Sequence, residues 1–246
     1  MELPHVSIRA VIFDIYGTLL EVSPPTEDAP ARWEQLWRDS FATSPRLALA
    51  QFSAACDDII TREHAHARAR GIPFPEVCWP AVAAETLPEL RGFSVVERDR
   101  FLFRQAQLWH TVRMAAETAA TLRWLKDRPG LLGIASNAQA YTLRELEKAL
   151  ATHALGMDLF VSQLCFWSFE HGFSKPDPHV FQILTARLAA LGLSPREILM
   201  VGDRLDNDIE PAKALGWWTW QLEPAADGGW TGLREMLSGP QPKASP

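Results

Sequence analysis

Cysteine is scarce in this sequence, with only Cys56, Cys78 and Cys165 among 246 residues. Their number is odd and their spacing matches no metal-binding motif. The scarcity excludes the disulfide-rich class of small secreted proteins. We therefore expect each cysteine to be a reduced structural thiol.

Long apolar runs and basic tracts are also missing. No run approaches the roughly 20 residues of a membrane-spanning helix, and the N-terminus lacks a signal-peptide pattern, which predicts a cytoplasmic protein without membrane contacts. Lysine and arginine number 24 against 30 acidic residues, for a net charge of −6, which argues against nucleic-acid binding. The 47% of hydrophobic residues is enough for a sizeable core in one large or two small domains.

The most informative stretch is Arg9–Leu20, RAVIFDIYGTLL. Its apolar run Ala10–Phe13 predicts a short strand that is buried on both faces. Asp14 follows at the carboxyl end of this strand, which in open α/β sheets is where ligands and chemistry gather. Asp14 is therefore a candidate nucleophile or metal ligand, with a turn-capping role as the alternative.

The next part of the chain is helical in pattern. A loop rich in proline and acidic residues, Glu21–Pro30, leads out of the first strand. Apolar residues then recur at helical spacing in three stretches: Arg32–Ala69, Phe74–Leu90 and Val95–Trp109. We therefore predict an all-helical inserted domain at residues 25–110, and a core domain that comprises residues 1–24 and 111–246.

The remainder of the chain alternates helices with short apolar strands. The predicted strands are Leu131–Ala135, Asp158–Leu164, Ile198–Val201 and Trp217–Leu222. This alternation predicts an α/β protein with a three-layer, Rossmann-like parallel sheet core. The tail from Gly239, GPQPKASP, predicts no packed structure.

Polar residues follow the predicted strands. Ser136 and Asn137 begin a helix, where they either cap it or hold a phosphate group. Lys175 precedes Pro176 and Pro178, which stiffen the backbone, so this lysine is either a placed functional group or an exposed solubilising one.

Acidic residues cluster after the strand Ile198–Val201. Asp203 and Asp208 bracket a loop that can fold both carboxylates toward one point, where they would repel each other without a cation. Oxygen ligands of this kind suit Mg²⁺. Helix capping by Asp206 or Asn207 is the alternative, and it does not exclude metal binding by the other two.

Taken together, the segments FDIYGTL, ASN, KPDP and VGDRLDND resemble, in order and spacing, the four motifs of the haloacid dehalogenase superfamily. The resemblance runs from about Val11 to Leu222, and the helical insertion resembles the helical cap of that superfamily. It implies a hydrolase in which Asp14 is the nucleophile and forms a covalent aspartyl intermediate. It also implies Mg²⁺ as cofactor and a small-molecule substrate, in a monomer or homodimer.

The resemblance assigns roles to the other polar residues as well. The expected phosphate-binding residues are Gly17, Thr18, Ser136, Asn137 and Lys175. The expected metal ligands are three carboxylates and one backbone carbonyl, which belong to Asp14, Asp203, Asp208 and Tyr16. Lys175 is also expected to act in catalysis, because it balances the charge of the transition state. The expected catalytic set is thus Asp14, Lys175 and Tyr16.

Tyr16 departs from the phosphatase pattern of that superfamily. Phosphatases usually carry a second aspartate there as general acid and base, and a neutral tyrosine is a poor base at pH 7. A tyrosine at this position resembles the 2-haloacid dehalogenases, which work without metal, whereas Asp203 and Asp208 resemble the magnesium type. We expect a Mg²⁺-dependent phosphatase acting on a small phosphorylated metabolite. The alternatives are a dehalogenase that uses Asp14 without metal, and a weakly active or non-catalytic binding protein.

Overall fold

A computed structural model describes residues 7–222 and 229–239 of the chain. Within them the chain forms seven strands: β1 (Ala10–Phe13), β2 (Glu21–Ser23), β3 (Thr111–Arg113), β4 (Leu131–Ser136), β5 (Cys165–Trp167), β6 (Ile198–Gly202) and β7 (Trp218–Gln221). Five of them make one parallel sheet in the order β5-β4-β1-β6-β7. The strand order reverses at the central β1, so ligands are expected at the carboxyl end of this strand.

The same residues form ten α-helices: α1 (Ala29–Phe41), α2 (Leu49–Ala69), α3 (Trp79–Thr86), α4 (Val95–Ala106), α5 (Ala116–Lys126), α6 (Ala140–Ala151), α7 (Ser168–His171), α8 (Pro178–Ala190), α9 (Glu210–Ala214) and α10 (Gly229–Ser238). Helices α5, α6 and α10 cover one face of the sheet, and α8 and α9 cover the other. Strand β1 supplies Val11 and Phe13 to the first face and Ala10 and Ile12 to the second. The prediction that Ala10–Phe13 is a strand buried on both faces, made from its continuously apolar sequence, is confirmed. Helices on both faces of the sheet confirm the three-layer α/β class.

Helices α1 to α4 pack around a hydrophobic cluster of their own. Trp33 stacks on Phe52 with ring centroids 5.0 Å apart, and Trp33 also contacts Trp37 and Phe101 edge to face. Such aromatic pairs contribute large buried areas and orientation-dependent contacts. The tryptophans of this region therefore serve mainly to build the core of the helical part.

The chain leaves and rejoins the sheet core through a small two-stranded ribbon, which the sequence pattern did not predict. Strand β2 pairs antiparallel with β3, with Glu21 opposite Arg113 and Ser23 opposite Thr111. The predicted loop Glu21–Pro30 is therefore partly strand. The segments that lead into and out of the helical insertion therefore lie side by side in this ribbon. The predicted bounds of the insertion, residues 25 and 110, lie just after β2 and just before β3. The division into domains stays a prediction.

Two predicted elements were wrong in position. The strand expected at Asp158–Leu164 is instead a pair of 3₁₀ turns, closed by bonds from Phe160 N to Met157 O and from Leu164 N to Val161 O, and the strand follows as β5. The apolar residues are buried in either arrangement, so their pattern did not separate them. The helical stretch expected from Phe74 begins only with α3 at Trp79, because Pro73 and Pro75 restrict the backbone before it. Residues 74–78 instead hydrogen-bond to residues 172–174 of the core.

No helix among the described residues combines the length and apolar character needed to cross a bilayer. The predicted unpacked tail lies, after Gly239, outside the residues that the structure describes. The same holds for residues 1–6 at the start of the predicted core domain.

Candidate active site

Asp14 lies where β1 ends, at the centre of the sheet edge. Its backbone N–H donates to Val201 O of the neighbouring β6 at 3.0 Å, and its side chain is buried. The chain then turns sharply through Gly17, whose φ of +82° favours glycine. A Cβ at Gly17 would also collide with the Asp203 carboxylate. The turn therefore requires glycine twice, for its backbone angle and for its close approach to the acidic loop.

Lys175 is completely buried and directed at two carboxylates. Its Nζ donates to Asp14 Oδ1 at 2.7 Å and to Asp208 Oδ1 at 2.5 Å. The Asn137 side chain holds the lysine backbone at both ends, accepting from Lys175 N at 2.7 Å and donating to Lys175 O at 2.9 Å. Lys175 is therefore held in a defined position rather than exposed as a solubilising residue, and the amide of Asn137 orients the loop that carries it. This amide had been expected at the phosphate.

Asp203 and Asp208 reach the same point from a loop that follows β6. A single π-helical turn at Leu205–Ile209 carries Asp208 inward, where its Oδ2 accepts from Arg204 N at 3.1 Å. Turns of this kind are frequent at functional sites. One oxygen from each of Asp14, Asp203 and Asp208 lies within 4.8 Å of the others. The structure thus brings the three predicted metal-binding carboxylates together.

The electrostatics of the cluster follow from burial and crowding. Burial raises the pKa of Asp14 to about 6, with Asp208 and Asp203 adding to the rise and Lys175 opposing it. The pKa of Asp203 is raised by burial and by Asp208. Burial alone would lower the pKa of Lys175, but Asp14 and Asp208 outweigh it and raise this pKa. The lysine therefore stays charged, and burial disfavours the ionised form of Asp14 beside it.

The cluster has the chemistry of a site for a hard divalent cation. Three carboxylates face one ammonium group, so their negative charge is only partly compensated. Asp203 Oδ1 is buried and has no hydrogen-bond partner among the described residues, although an unpaired buried carboxylate oxygen is costly. An oxygen-coordinating cation such as Mg²⁺ would satisfy this atom. The three predicted metal-binding carboxylates therefore fit such a cation, and the part of the Tyr16 carbonyl stays a prediction.

The predicted phosphate-binding residues surround the end of β1. Ser136 is the last residue of the neighbouring β4 and is buried. Thr18 follows Gly17 in the turn, and its hydroxyl oxygen is buried without a partner in the part of the chain that the structure describes. Two hydroxyl-bearing residues thus lie, like Asp14, at or just beyond the carboxyl ends of adjacent strands. Anions bind where such donors converge.

The side chain of Tyr16 makes contacts that the sequence did not predict. Its hydroxyl donates to Glu145 Oε2 at 2.6 Å and lies 3.0 Å from Thr142 Oγ1. The other face of the buried Glu145 carboxylate contacts His110 Nε2 at 3.1 Å. Burial and then the Glu145 charge raise the pKa of Tyr16 above its ordinary value. The phenol is therefore neutral and structurally engaged, so it is unsuited to act as a general base.

The contacts of Glu145 with Tyr16 and His110 were not predicted from the sequence. A signal for Glu145 was present, because Thr142, Glu145, Leu146 and Ala149 recur at helical spacing and all four are buried on α6. A carboxylate on the apolar face of an amphipathic helix needs a partner. His110, directly before β3, gave no comparable signal.

Comparisons with known proteins agree with this geometry. The sequence model of the family described as haloacid dehalogenase-like hydrolase matches residues 8–216. A glyceraldehyde 3-phosphate phosphatase of Methanocaldococcus jannaschii is 33% identical over 115 residues, which are 44% of this chain and 46% of that protein. The chain therefore spans less than half the length of this curated relative.

Solved structures show the same fold at low sequence identity. A phosphatase of Thermococcus onnurineus has a TM-score of 0.54 and 23% identity, covering 95% of this chain and 100% of that chain. An L-2-haloacid dehalogenase has a TM-score of 0.52 and 22% identity, covering 94% of this chain and 99% of that chain. Both activities thus occur on this fold, and the fold does not separate them. Because the family match extends over most of the chain and includes every residue of the carboxylate cluster, the chain belongs to the haloacid dehalogenase-like hydrolase family.

Proposed function

We propose that the protein is a Mg²⁺-dependent phosphatase that acts on a small phosphorylated metabolite. The observation that carries the proposal is the convergence of Asp14, Asp203 and Asp208 around the buried Lys175. A dehalogenation that needs no metal has no use for three carboxylates at one point, whereas a phosphoryl group and an anionic nucleophile must be brought together against their repulsion. The phosphatase activity of the curated relative supports the same choice.

In this proposal Asp14 attacks phosphorus, the ester P–O bond breaks and an aspartyl phosphate forms, while the alcohol part of the ester departs and takes a proton from water. A second water molecule then hydrolyses the aspartyl phosphate to inorganic phosphate and free Asp14. Lys175 holds the nucleophile through its 2.7 Å contact and balances charge on the phosphoryl oxygens. Thr18 and Ser136 supply hydroxyl contacts, and Gly17 lets the backbone approach closely. Bound Mg²⁺, held by Asp14, Asp203, Asp208 and the backbone carbonyl of Tyr16, would supply electrostatic stabilisation of the phosphoryl group.

The helical part is proposed to be the cap of the enzyme. Residues 25–110 would cover the carboxyl edge of the sheet, with residues 1–24 and 111–246 forming the core domain. Extended residues 74–78 already contact the core, since Ser174 N donates to Phe74 O and Glu76 N to Gly172 O. A cap in this position limits the substrate to a small molecule. We further propose that the enzyme works in the cytoplasm as a monomer or homodimer.

The identity of Tyr16 favours a second candidate, a 2-haloacid dehalogenase. Halide is a good leaving group and needs no proton, so a site without a second aspartate suits it. In this alternative Asp14 attacks carbon and halide departs. The convergence of Asp14, Asp203 and Asp208 weakens the alternative, because a metal-free dehalogenation uses only the carboxylate of Asp14 as nucleophile.

One pair of assays separates the candidates. Phosphate release from an aryl phosphate and a metabolite panel is measured with Mg²⁺ and with chelator, and chloride release from 2-chloropropionate is measured in parallel. The proposal expects phosphate release that requires Mg²⁺ and is lost in Asp14→Asn and Asp203→Asn, with Asp206→Asn as the control. Chloride release that survives chelation would establish the dehalogenase. Absence of both activities, with Mg²⁺ binding retained, would establish a binding protein instead.

A further inference from the structure

A cavity of about 450 Å³ lies where the helical part meets the sheet core. Its walls come from α2, α3 and Trp109 on one side and from Gln139 and Tyr141, at the start of α6, on the other. The residues of the carboxylate cluster do not line it. The cavity is therefore separate from the proposed catalytic residues.

Aromatic rings form a fixed wall of this cavity. Trp79 and Trp109 meet edge to face with ring centroids 4.8 Å apart. Trp109 Nε1 donates to Ser53 Oγ at 3.0 Å, and the backbone N–H of Trp79 donates to Gln139 Oε1 at 3.1 Å. The first bond orients the Trp109 ring, and the second ties the start of α3 to the core. Trp79 is 4% exposed and Trp109 is half-buried, so Trp109 offers the accessible indole surface, which is a preferred partner of organic cations.

The charge of the cavity is negative. Asp57 and Glu76 contribute carboxylates, and its lining residues, all within the described part of the chain, include His64 but no lysine or arginine. Glu76 is half-buried, and within residues 7–222 and 229–239 it accepts only from neutral donors, which are Val77 N at 2.9 Å, Gln139 Nε2 at 3.0 Å and Ser168 Oγ at 2.6 Å. The Glu76 carboxylate is thus hydrogen-bonded, but none of these donors carries a positive charge. Anions are disfavoured here, and a cation would gain from both carboxylates and rings.

We propose that this cavity binds a small organic ammonium ion. The substituents of the cation contact the ring of Trp109, which packs against the buried Trp79, while Asp57 and Glu76 balance its charge. Because the walls belong to both the helical part and the core, a bound cation stabilises the contact between them. The proposal does not depend on the phosphatase assignment, since it involves none of the reacting residues.

The test uses choline and dimethylbutanol, its uncharged isostere with carbon in place of the ammonium nitrogen. Each is titrated into the full-length protein and followed by calorimetry and tryptophan fluorescence. Choline is expected to bind saturably and about tenfold more tightly than the alcohol. Equal affinities of the two compounds, or no saturable binding of choline, would overturn the proposal.

Two variants locate the binding. Asp57→Asn is expected to weaken choline binding about threefold, a modest effect because this carboxylate is exposed. Asp58→Asn, which alters an equally exposed neighbour that does not line the cavity, is expected to bind as the wild type does. Trp109→Leu removes an aromatic face and is expected to lose about tenfold in affinity. Identical binding by the Asp57 and Asp58 variants, or undiminished binding by the Trp109 variant, places choline elsewhere and contradicts the proposal.

Discussion

At the scale of single residues, Lys175 is the group on which the site most depends. It is buried and pairs with Asp14 and Asp208, and both of its own backbone polar groups are held by Asn137. Burying an ion pair is costly, and removing one partner leaves the other charge without compensation. A functional requirement explains why the chain retains such an arrangement in its interior.

Replacement of Lys175 by methionine is therefore expected to destabilise the metal-free protein by about 3 kcal/mol. The loss arises because Asp14 and Asp208 remain buried without a cation. Urea unfolding in the presence of chelator measures it. Lys126→Met, at an exposed lysine at the end of α5, is the control and is expected to change stability by less than about 0.5 kcal/mol. Equal effects of the two substitutions would show that the buried ion pairs do not stabilise this fold.

Tyr16 leads to a prediction about leaving groups. The raised pKa of the phenol and its bond to Glu145 prevent it from exchanging a proton with the substrate. Loss of general acid help costs on the order of 10²–10⁴ in rate, and the cost grows with the basicity of the leaving group. We expect kcat/KM to fall steeply along a series of aryl phosphates as the pKa of the phenol rises. Insensitivity to the leaving group would mean that another residue serves as the acid.

At the scale of elements, a 3₁₀ turn at Pro195–Glu197 fixes the start of β6. Glu197 accepts from Ser194 N at 2.8 Å, from Ser194 Oγ at 2.9 Å and from Arg9 at 3.0 Å. The Ser194 backbone N–H, with help from Arg9, lowers the pKa of Glu197 to about 2. Through Arg9, which directly precedes β1, the turn links β1 to β6, the strand that leads into the acidic loop.

Because the pKa of Glu197 is lower in the folded protein than its ordinary 4.5, its carboxylate stabilises the fold above that value. The stabilisation is lost as the pH falls from about 4.5 toward 2. Glu197→Gln is expected to lower the Tm at pH 7, and its difference from wild type is expected to shrink by about pH 3. Thermal unfolding across this range measures the change, with Glu147→Gln, at an exposed residue of α6, as control. A difference that persists unchanged at low pH would contradict the assigned cause.

Elements differed in how far the sequence could predict them. Strands β1, β4, β6 and β7 are signalled by apolar runs, because parallel strands in a covered sheet are buried on both faces. The ribbon strands β2 and β3 are three residues each and mostly exposed, so no periodicity marks them. Strand β5 was displaced because its neighbouring 3₁₀ turns are equally apolar. The burial of Glu145 could have been predicted only by recognising that α6 is an amphipathic helix with one charged residue on its apolar face.

At the scale of the whole molecule, the site is a product of topology. Asp14, Ser136 and Asp203 are far apart in the chain and meet because β1, β4 and β6 are adjacent and parallel. The switch-point rule predicts this meeting from strand order alone. The rule does not predict that Asn137 would hold the lysine backbone or that Glu145 would bind Tyr16. Those contacts depend on side-chain packing between elements.

The crowded carboxylates also lead to the prediction that divalent cations stabilise the whole protein. Mg²⁺ bound to the folded state is expected to stabilise it by about 2.7 kcal/mol at 100 times its Kd. The Tm should therefore rise with Mg²⁺ concentration, and Asp203→Asn should abolish the rise. Asp206→Asn, at an exposed carboxylate that pairs with Arg204, should retain it. A Tm independent of Mg²⁺ in the wild type would argue against the metal site.

The covalent role of Asp14 is the central claim, and trapping the intermediate tests it most directly. The enzyme is mixed with Mg²⁺ and a phosphate ester that it hydrolyses, quenched in acid during turnover, digested and mapped by mass spectrometry, with borohydride reduction marking any acyl phosphate. We predict one phosphoryl group on the peptide that contains Asp14, absent from Asp14→Asn. Turnover with an unmodified Asp14 peptide, or a phosphoryl group on another residue, would contradict the account.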